Sequence, residues 1–233
     1  MLYFLQFFLA AGIIFLNNNL FPVKAQVKLE ENQIEKQIKK LENAKNGQLI
    51  FRAKRSALWL KSSKFIEDKK PNDVIEISLN GALYDTPKEV TEVARRNIDR
   101  STPEGAAASF FSATKSGDVK WIVDNFVEDE QEEMKKLFKD KKTKKESNAD
   151  ANQIKSEFII GTAQYNDHVI LFVEQNYNDG RRVKEPMVCR KTPDGWKQTN
   201  ALAEDDTFDV VFAALSTGKV FSKNEKTLDS ISP

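Results

Sequence analysis

Cysteine is almost missing from this chain. Cys189 stands alone among 233 residues, which excludes an internal disulfide framework. Histidine is equally scarce: His168 is the sole one. One His, one Cys and no paired carboxylate–histidine spacing fall short of a zinc or iron site, so no metal is expected. A surplus of one charge is missing too. The sequence carries 36 Lys and Arg against 35 Asp and Glu, a formal net charge of +1, which argues against a nucleic-acid partner. No glycine-rich phosphate cradle or nucleophile elbow occurs, and no cofactor is expected. The acid cluster Glu204-Asp205-Asp206 lacks the glycine and alternating oxygen ligands of a calcium loop. It reads instead as negative charge near the start of a helix over 206–215, where Phe208, Val211, Phe212 and Leu215 fall at helical spacing. Cys189 lies in strand-like sequence and suits a small buried hydrophobe, with Arg190 and Lys191 beside it leaving a reactive thiol as the alternative.

Long apolar runs are confined to one place. Leu2 to Leu16 is nearly all apolar, too short for an ordinary spanning helix of about 20 residues. Val23-Lys24-Ala25 offers the small-residue pattern of a signal peptidase site, so residues 1–25 read as a signal peptide with Gln26 as the new N-terminus. That makes the mature protein secreted or periplasmic, with no membrane attachment after cleavage. No Lys or Arg precedes the run, which keeps an uncleaved N-terminal membrane anchor as the alternative.

Organisation centres on Thr102 to Phe126. Thr102 reads as an N-cap, Pro103 as the first helical residue and Glu104 as charge against the helix dipole; Ser101 with Glu104 fits a capping box one residue earlier. Ala106, Phe110 and Ala113, flanked by Ala107 and Phe111, give a broad buried face. Ser116-Gly117-Asp118 breaks the helix, and Trp121, Ile122, Val123 and Phe126 begin a second. A third spans Glu128 to Lys139, with Met134, Leu137 and Phe138 on its apolar side. The run 139–148 has no apolar residue and reads as a solvated loop, with an acidic docking partner as the alternative.

Flanking this centre, the period changes from helical to extended. Residues 27–45 suit an amphipathic helix, with self-association into a homodimer as the alternative, and Asn46-Gly47 ends it. Strands are expected at Leu49–Ala53 and Asp73–Leu79, and Thr86-Pro87 reads as the start of a short helix carrying Val90, Val93, Ala94 and Ile98. Trp59, between the two strands, suits a core anchor or an exposed contact equally. After the helices, strands are expected over Glu157–Tyr165, His168–Tyr177, Arg182–Lys191 and Trp196–Leu202, with turn residues at hairpin spacing between them. Neighbours therefore pair antiparallel, His168–Tyr177 is interior, and Pro186 marks a bulge or an edge. The fold class is α+β, a curved antiparallel meander on helices, divided as signal peptide 1–25, helix and strand extension 26–100, α+β domain 101–217 and flexible tail 218–233.

Thr102-Pro103-Glu104 before an apolar helix, Gly117-Asp118 before a second, then a third helix and a meander, resemble the nuclear transport factor 2-like (cystatin-like α+β cone) superfamily. The resemblance covers about residues 101–202 and is closest to small exported members of unknown function. It implies a strongly curved sheet around the first helix, with a cone-shaped cavity that is a ligand pocket in some members and filled in others. Enzymes of that superfamily, the ketosteroid isomerases and dehydratases, imply an acidic base or a His–Asp pair. Asp167-His168, with Tyr165 close by, is the candidate catalytic set. Against it, Asn166-Asp167 is ordinary turn sequence, and neighbours in an extended chain point to opposite faces, so exposed turn residues are the expected outcome. Phe110, Trp121, Phe126, Phe172, Met187 and Trp196 are the candidate ligand-binding residues, all of which also suit a core. The expected function is a non-enzymatic exported domain that binds a small apolar or amphipathic ligand or a protein partner. The alternative is an isomerase or dehydratase.

Overall fold

Helix α1 (Pro103–Ser116) starts where its capping residues dictate. The Thr102 hydroxyl accepts from the Gly105 N–H at 3.1 Å, which settles the register in favour of Thr102 over Ser101. The helix stops at Gly117, whose φ of 66° is left-handed, and Asp118 then caps α2 (Val119–Asp124) by accepting from the Trp121 N–H. Together they turn the chain back on itself within two residues. Helix α3 covers Glu128–Lys139 as its periodicity predicts, and buries Met134 and Phe138.

These helices belong to an α+β protein with a seven-stranded open sheet, shown in a computed structural model that describes residues 47–60, 65 and 69–222. The strands are β1 (Gly47–Lys54), β2 (Val74–Glu89), β3 (Ile154–Tyr165), β4 (His168–Tyr177), β5 (Arg182–Thr192), β6 (Gly195–Gln198) and β7 (Val220–Ser222). Their order is β6-β5-β4-β3-β2-β1-β7, antiparallel throughout. Two further helices complete it: α4 (Lys141–Ala151) and α5 (Asp206–Ser216). The meander pairs as expected and β4 is interior, but the last strand expected over Trp196–Leu202 ends at Gln198. Pro186 lies opposite Phe172 on β5, beyond the stretch Cys189–Thr192 that β6 covers, so its missing N–H faces an edge. Among the described residues no helix is long and apolar enough to cross a membrane. The proposed signal peptide and the helix read at 27–45 lie outside the described residues.

Three further segments differ from the sequence reading. The charged run 139–148 is largely helix α4 rather than a loop. Asp140 caps it by accepting from the Thr143 N–H at 2.8 Å, and only Ser147 and Ala151 are buried, so no apolar period announces it. The helix expected after Thr86-Pro87 is instead the end of β2, which pairs Lys88 and Glu89 with Ile159 and Phe158. The ladder is irregular between Leu83 and Lys88, which is where Pro87 is tolerated without an N–H to donate. Residues 47–54 and 74–89 join the same sheet as the meander, and β7 pairs with β1 from within the stretch read as a tail.

Apolar side chains divide between the two faces of the sheet. On one, Leu49, Phe51, Ile170, Phe172 and Val188 meet Phe208, Val211 and Leu215 of α5. Phe51 and Phe172 stack edge-on there with centroids 5.8 Å apart. The other face carries Val169, Leu171, Val173 and Cys189 beneath Ala106, Ala107 and Phe111 of α1, and α2 and α3 close over Phe126 beside it.

Candidate functional site

A cavity of ≈ 90 Å³ lies on the α1 side of the sheet. Its apolar wall is built from Phe110 of α1, Ile122 of α2, Phe126, and Met134 and Phe138 of α3. Phe110 and Phe126 meet edge-on at 5.7 Å, which fixes both rings. Ser147 and Ala151 of α4 line it with small side chains, and Met187 and Pro186 of β5 complete the apolar part.

Strands β3, β4, β5 and β6 supply the polar wall through Glu157, Gln175, Glu185 and Gln198. Glu157 sits opposite Gln175 in the β3–β4 ladder, and the Gln175 amide Nε2–H donates to Glu157 Oε2 at 2.9 Å. The Gln175 carbonyl lies 3.3 Å from the Tyr177 hydroxyl, so that amide has a partner at each end. Glu157 is 5% exposed, and burial pushes its carboxyl up to about 8, with the charge of Glu185 adding to the effect and the Gln175 hydrogen bond opposing it. Glu185 is part-buried and is pushed up to about 7, again by burial first and then by Asp150. Neither carboxyl has an ion pair among the described residues, and no Lys, Arg or His lines the cavity. Gln198 is 5% exposed and its side-chain carbonyl oxygen has no hydrogen-bond partner.

Half of the aromatic and methionine residues singled out from sequence meet here. Phe110, Phe126 and Met187 line the cavity. Trp121 is buried among the helices with its indole N–H on Ser109 Oγ at 3.1 Å, and Trp196 packs beneath α1 with Lys191 over its ring; neither lines the cavity. Phe172 points to the α5 face, because alternate residues of β4 point to opposite sides.

The Asp167–His168–Tyr165 set also lies off the cavity, and His168 is not the exposed turn residue expected. It is 7% exposed, and its Nδ1 lies 2.9 Å from Asp167 Oδ1, without the alignment of a hydrogen bond. Burial lowers the His168 pKa, with Asp167 opposing. Tyr165 donates instead to Asp205 at 3.1 Å, and Asp205 caps α5 through the Thr207 and Phe208 N–H groups. The strand argument holds for His168, which shares its side of β4 with Ile170 and Phe172; it fails for Asp167, because a turn residue with a neighbour in the adjacent Asn166 at φ 55° is not bound by strand alternation. Cys189 is fully buried, and burial drives its thiol well up, so its chemistry is that of a small hydrophobe.

Trp59 is part-buried, and its backbone N–H and that of Leu60 donate to Asp209 at 3.2 and 3.0 Å. Asp209 is fully buried in α5 and is pushed up to about 6. Glu130 is likewise pushed up to about 7 by burial while accepting from the Thr199 hydroxyl and the Asn200 N–H, a tie between α3 and the segment after β6. Among the described residues no three His, Cys, Asp or Glu side chains gather as a metal site.

Sequence reasoning did not single out Glu157, Gln175, Glu185 or Gln198. One signal was present: Glu157, Gln175 and Val173 alternate with outward neighbours on strands otherwise rich in Ile, Val and Phe. A carboxylate or amide inside an apolar strand needs a partner or a purpose. The residues therefore define an α+β domain with a cavity, mostly apolar over its helical wall and carrying two carboxyls and two amides over its strand wall. No protein-family model, curated protein or solved structure matches the chain.

Proposed function

We propose that this chain is an exported binding domain that holds a small apolar or amphipathic molecule between helices α1–α4 and the sheet. The observation that carries the reading is the cavity itself, bounded by four helices on one side and β3–β6 on the other, with carboxyl and amide side chains confined to the strand wall. Pockets of this composition, mostly apolar with a few convergent polar groups, are the common form of small-molecule sites. The nuclear transport factor 2-like reading is kept as part of the proposal. Its support is the order of α1, the Gly117-Asp118 turn, α2, α3 and the meander, and the irregular registers of β3 near Ile154 and Ile159, which bend a strand. Export rests on the Leu2–Leu16 run and the site before Gln26.

Native mass spectrometry of protein purified from its own host tests the binding reading: a retained small molecule, lost on unfolding, is the expected result. The same sample tests export. A mature chain beginning at or near Gln26 supports it, whereas a chain that retains 2–16 in the membrane fraction replaces it with the anchor.

A second reading, an acid–base enzyme of isomerase or dehydratase kind, is favoured by one observation. Glu157 and Glu185 face the cavity with carboxyls near neutrality, the range a general acid or base needs. In that reading they replace Asp167 and His168, which lie off the cavity. Turnover of a ketone or alcohol substrate that is lost in Glu157→Gln would establish it.

A further inference from the structure

The charged groups on the cavity wall are two carboxyls, Glu157 and Glu185, and no cationic side chain stands among them. Glu157 offers a second carboxyl oxygen after taking the Gln175 N–H, and Glu185 offers a carboxyl with no cation beside it. The Gln175 amide holds one Glu157 oxygen, and the other polar side chains of the wall, Gln198, Ser147 and Thr114, are neutral. Nothing on the wall can neutralise an anion, whereas two carboxyls stand ready to ionise against a cation. The opposite wall suits a hydrocarbon body, since the rings of Phe110, Phe126 and Phe138 line the same space.

We propose that the cavity selects a small organic ammonium ion, its N–H groups donating to Glu157 and Glu185 and its hydrocarbon body lying against Phe110, Phe126 and Met134. The inference rests on the binding reading above and narrows it to a class. A cavity of ≈ 90 Å³ fits a body of about four or five heavy atoms, the size of a primary amine with a short branched chain. Binding is coupled to ionisation of the two glutamates. The groups that bear on them are Asp150 of α4, which raises Glu185, the Tyr177 hydroxyl on β4, and Arg181 beyond it, which opposes the shift of Asp150. Affinity for an ammonium therefore increases from pH 6 to pH 9, and affinity for a neutral isostere does not.

Titration calorimetry or NMR with isobutylamine and isobutanol, two probes of one shape, separates the possibilities on the full mature chain. The expected result is that isobutylammonium binds at least tenfold tighter than isobutanol at pH 8.5, and that Glu157→Gln and Glu185→Gln each erase most of this preference while still admitting isobutanol. His168→Gln, on the other face of the sheet, leaves both affinities unchanged. Equal binding of the two probes overturns the ammonium class and leaves the binding domain standing. Absence of binding by both overturns the cavity reading and the inference together. Undiminished amine binding in the two glutamine variants, each checked for native circular dichroism, also overturns the inference.

Discussion

The two faces of the sheet solve the same problem, burial of a strand-rich layer, with different completeness. Under α5 the packing is closed: Phe51 and Phe172 are fully buried, and the acid that falls there, Asp209, accepts two backbone N–H bonds. Under α1–α4 a space remains, and of the two acids facing it only Glu157 receives a hydrogen bond, from the Gln175 amide. A buried polar group costs free energy unless it is hydrogen-bonded. The α5 face meets that cost from within the chain at Asp209, whereas His168 on the same face keeps both ring nitrogens without a hydrogen bond. The cavity face leaves the Glu185 carboxyl and one oxygen of Glu157 without a hydrogen-bond partner among the described residues. The difference separates a face that maintains the fold from one that is available for binding.

Removing a ring from the closed face should have the largest effect. Phe172→Ala is expected to lose about 3–5 kcal/mol in denaturant unfolding, because α5 and β1 cannot both move in to fill the space. A loss below about 0.5 kcal/mol, that of an ordinary surface site, would show that this face is not the closed one.

Next comes the acid on the open face. The Glu157 carboxyl is raised above its unfolded value, so its favourable contribution is complete below about pH 4.5 and is lost as the pH rises through about 8. Without ligand, Glu157→Gln should therefore be more stable than the parent at pH 9, by about 2–4 kcal/mol, and nearly equal to it at pH 4. Thermal unfolding at the two pH values reads this directly. A variant destabilised at both would mean that Glu157 is paired after all.

His168 should move stability less, and in the opposite pH direction. Burial lowers its folded pKa, so its contribution is present above about pH 6.5, the unfolded value, and lost as the solution is acidified. His168→Gln is expected to cost about 1–2 kcal/mol at pH 8 and less at pH 5. An unchanged slope between these pH values would place the ring in solvent. The smallest change tests the open space. Ala151→Val adds two methyl groups at the cavity wall, and should alter stability by less than about 1 kcal/mol while blocking isobutanol binding. A cost of several kcal/mol would mean that no space was there.

Much of the closed face was legible in sequence, whereas the open one was only half so. Alternation in Leu49–Ala53 and helical spacing in Phe208–Leu215 report burial directly, because one-sided packing imprints its period on the residues. The helix α1 start and the turn at Gly117 were legible for a different reason, since capping is local chemistry. Helix α4 was not, because it touches the core through Ser147 and Ala151, residues too small to register as an apolar stripe. The end of β2 was misread because Thr86-Pro87 looks the same before a helix as inside an irregular ladder. The cavity's polar wall assembles from Glu157, Gln175, Glu185 and Gln198 on four strands, and spacing along a chain carries no information about which rungs of a sheet fall side by side.

Strand β7 has a consequence in time. It pairs Val220 with Phe51, so one end of the sheet is completed by residues nearly at opposite limits of the described chain. During synthesis, β1 and β2 can pair with each other as soon as they emerge, yet Leu49, Phe51 and Ile75 have no α5 to cover them until residues 206–215 have been made. Sheets dominated by such distant pairings form slowly, and their exposed strands are prone to aggregate in the interval. A growing chain of this protein therefore stays open until its last described segment is released. A factor that holds the unfinished β1–β2 hairpin would act over the interval between the synthesis of β2 and that of α5.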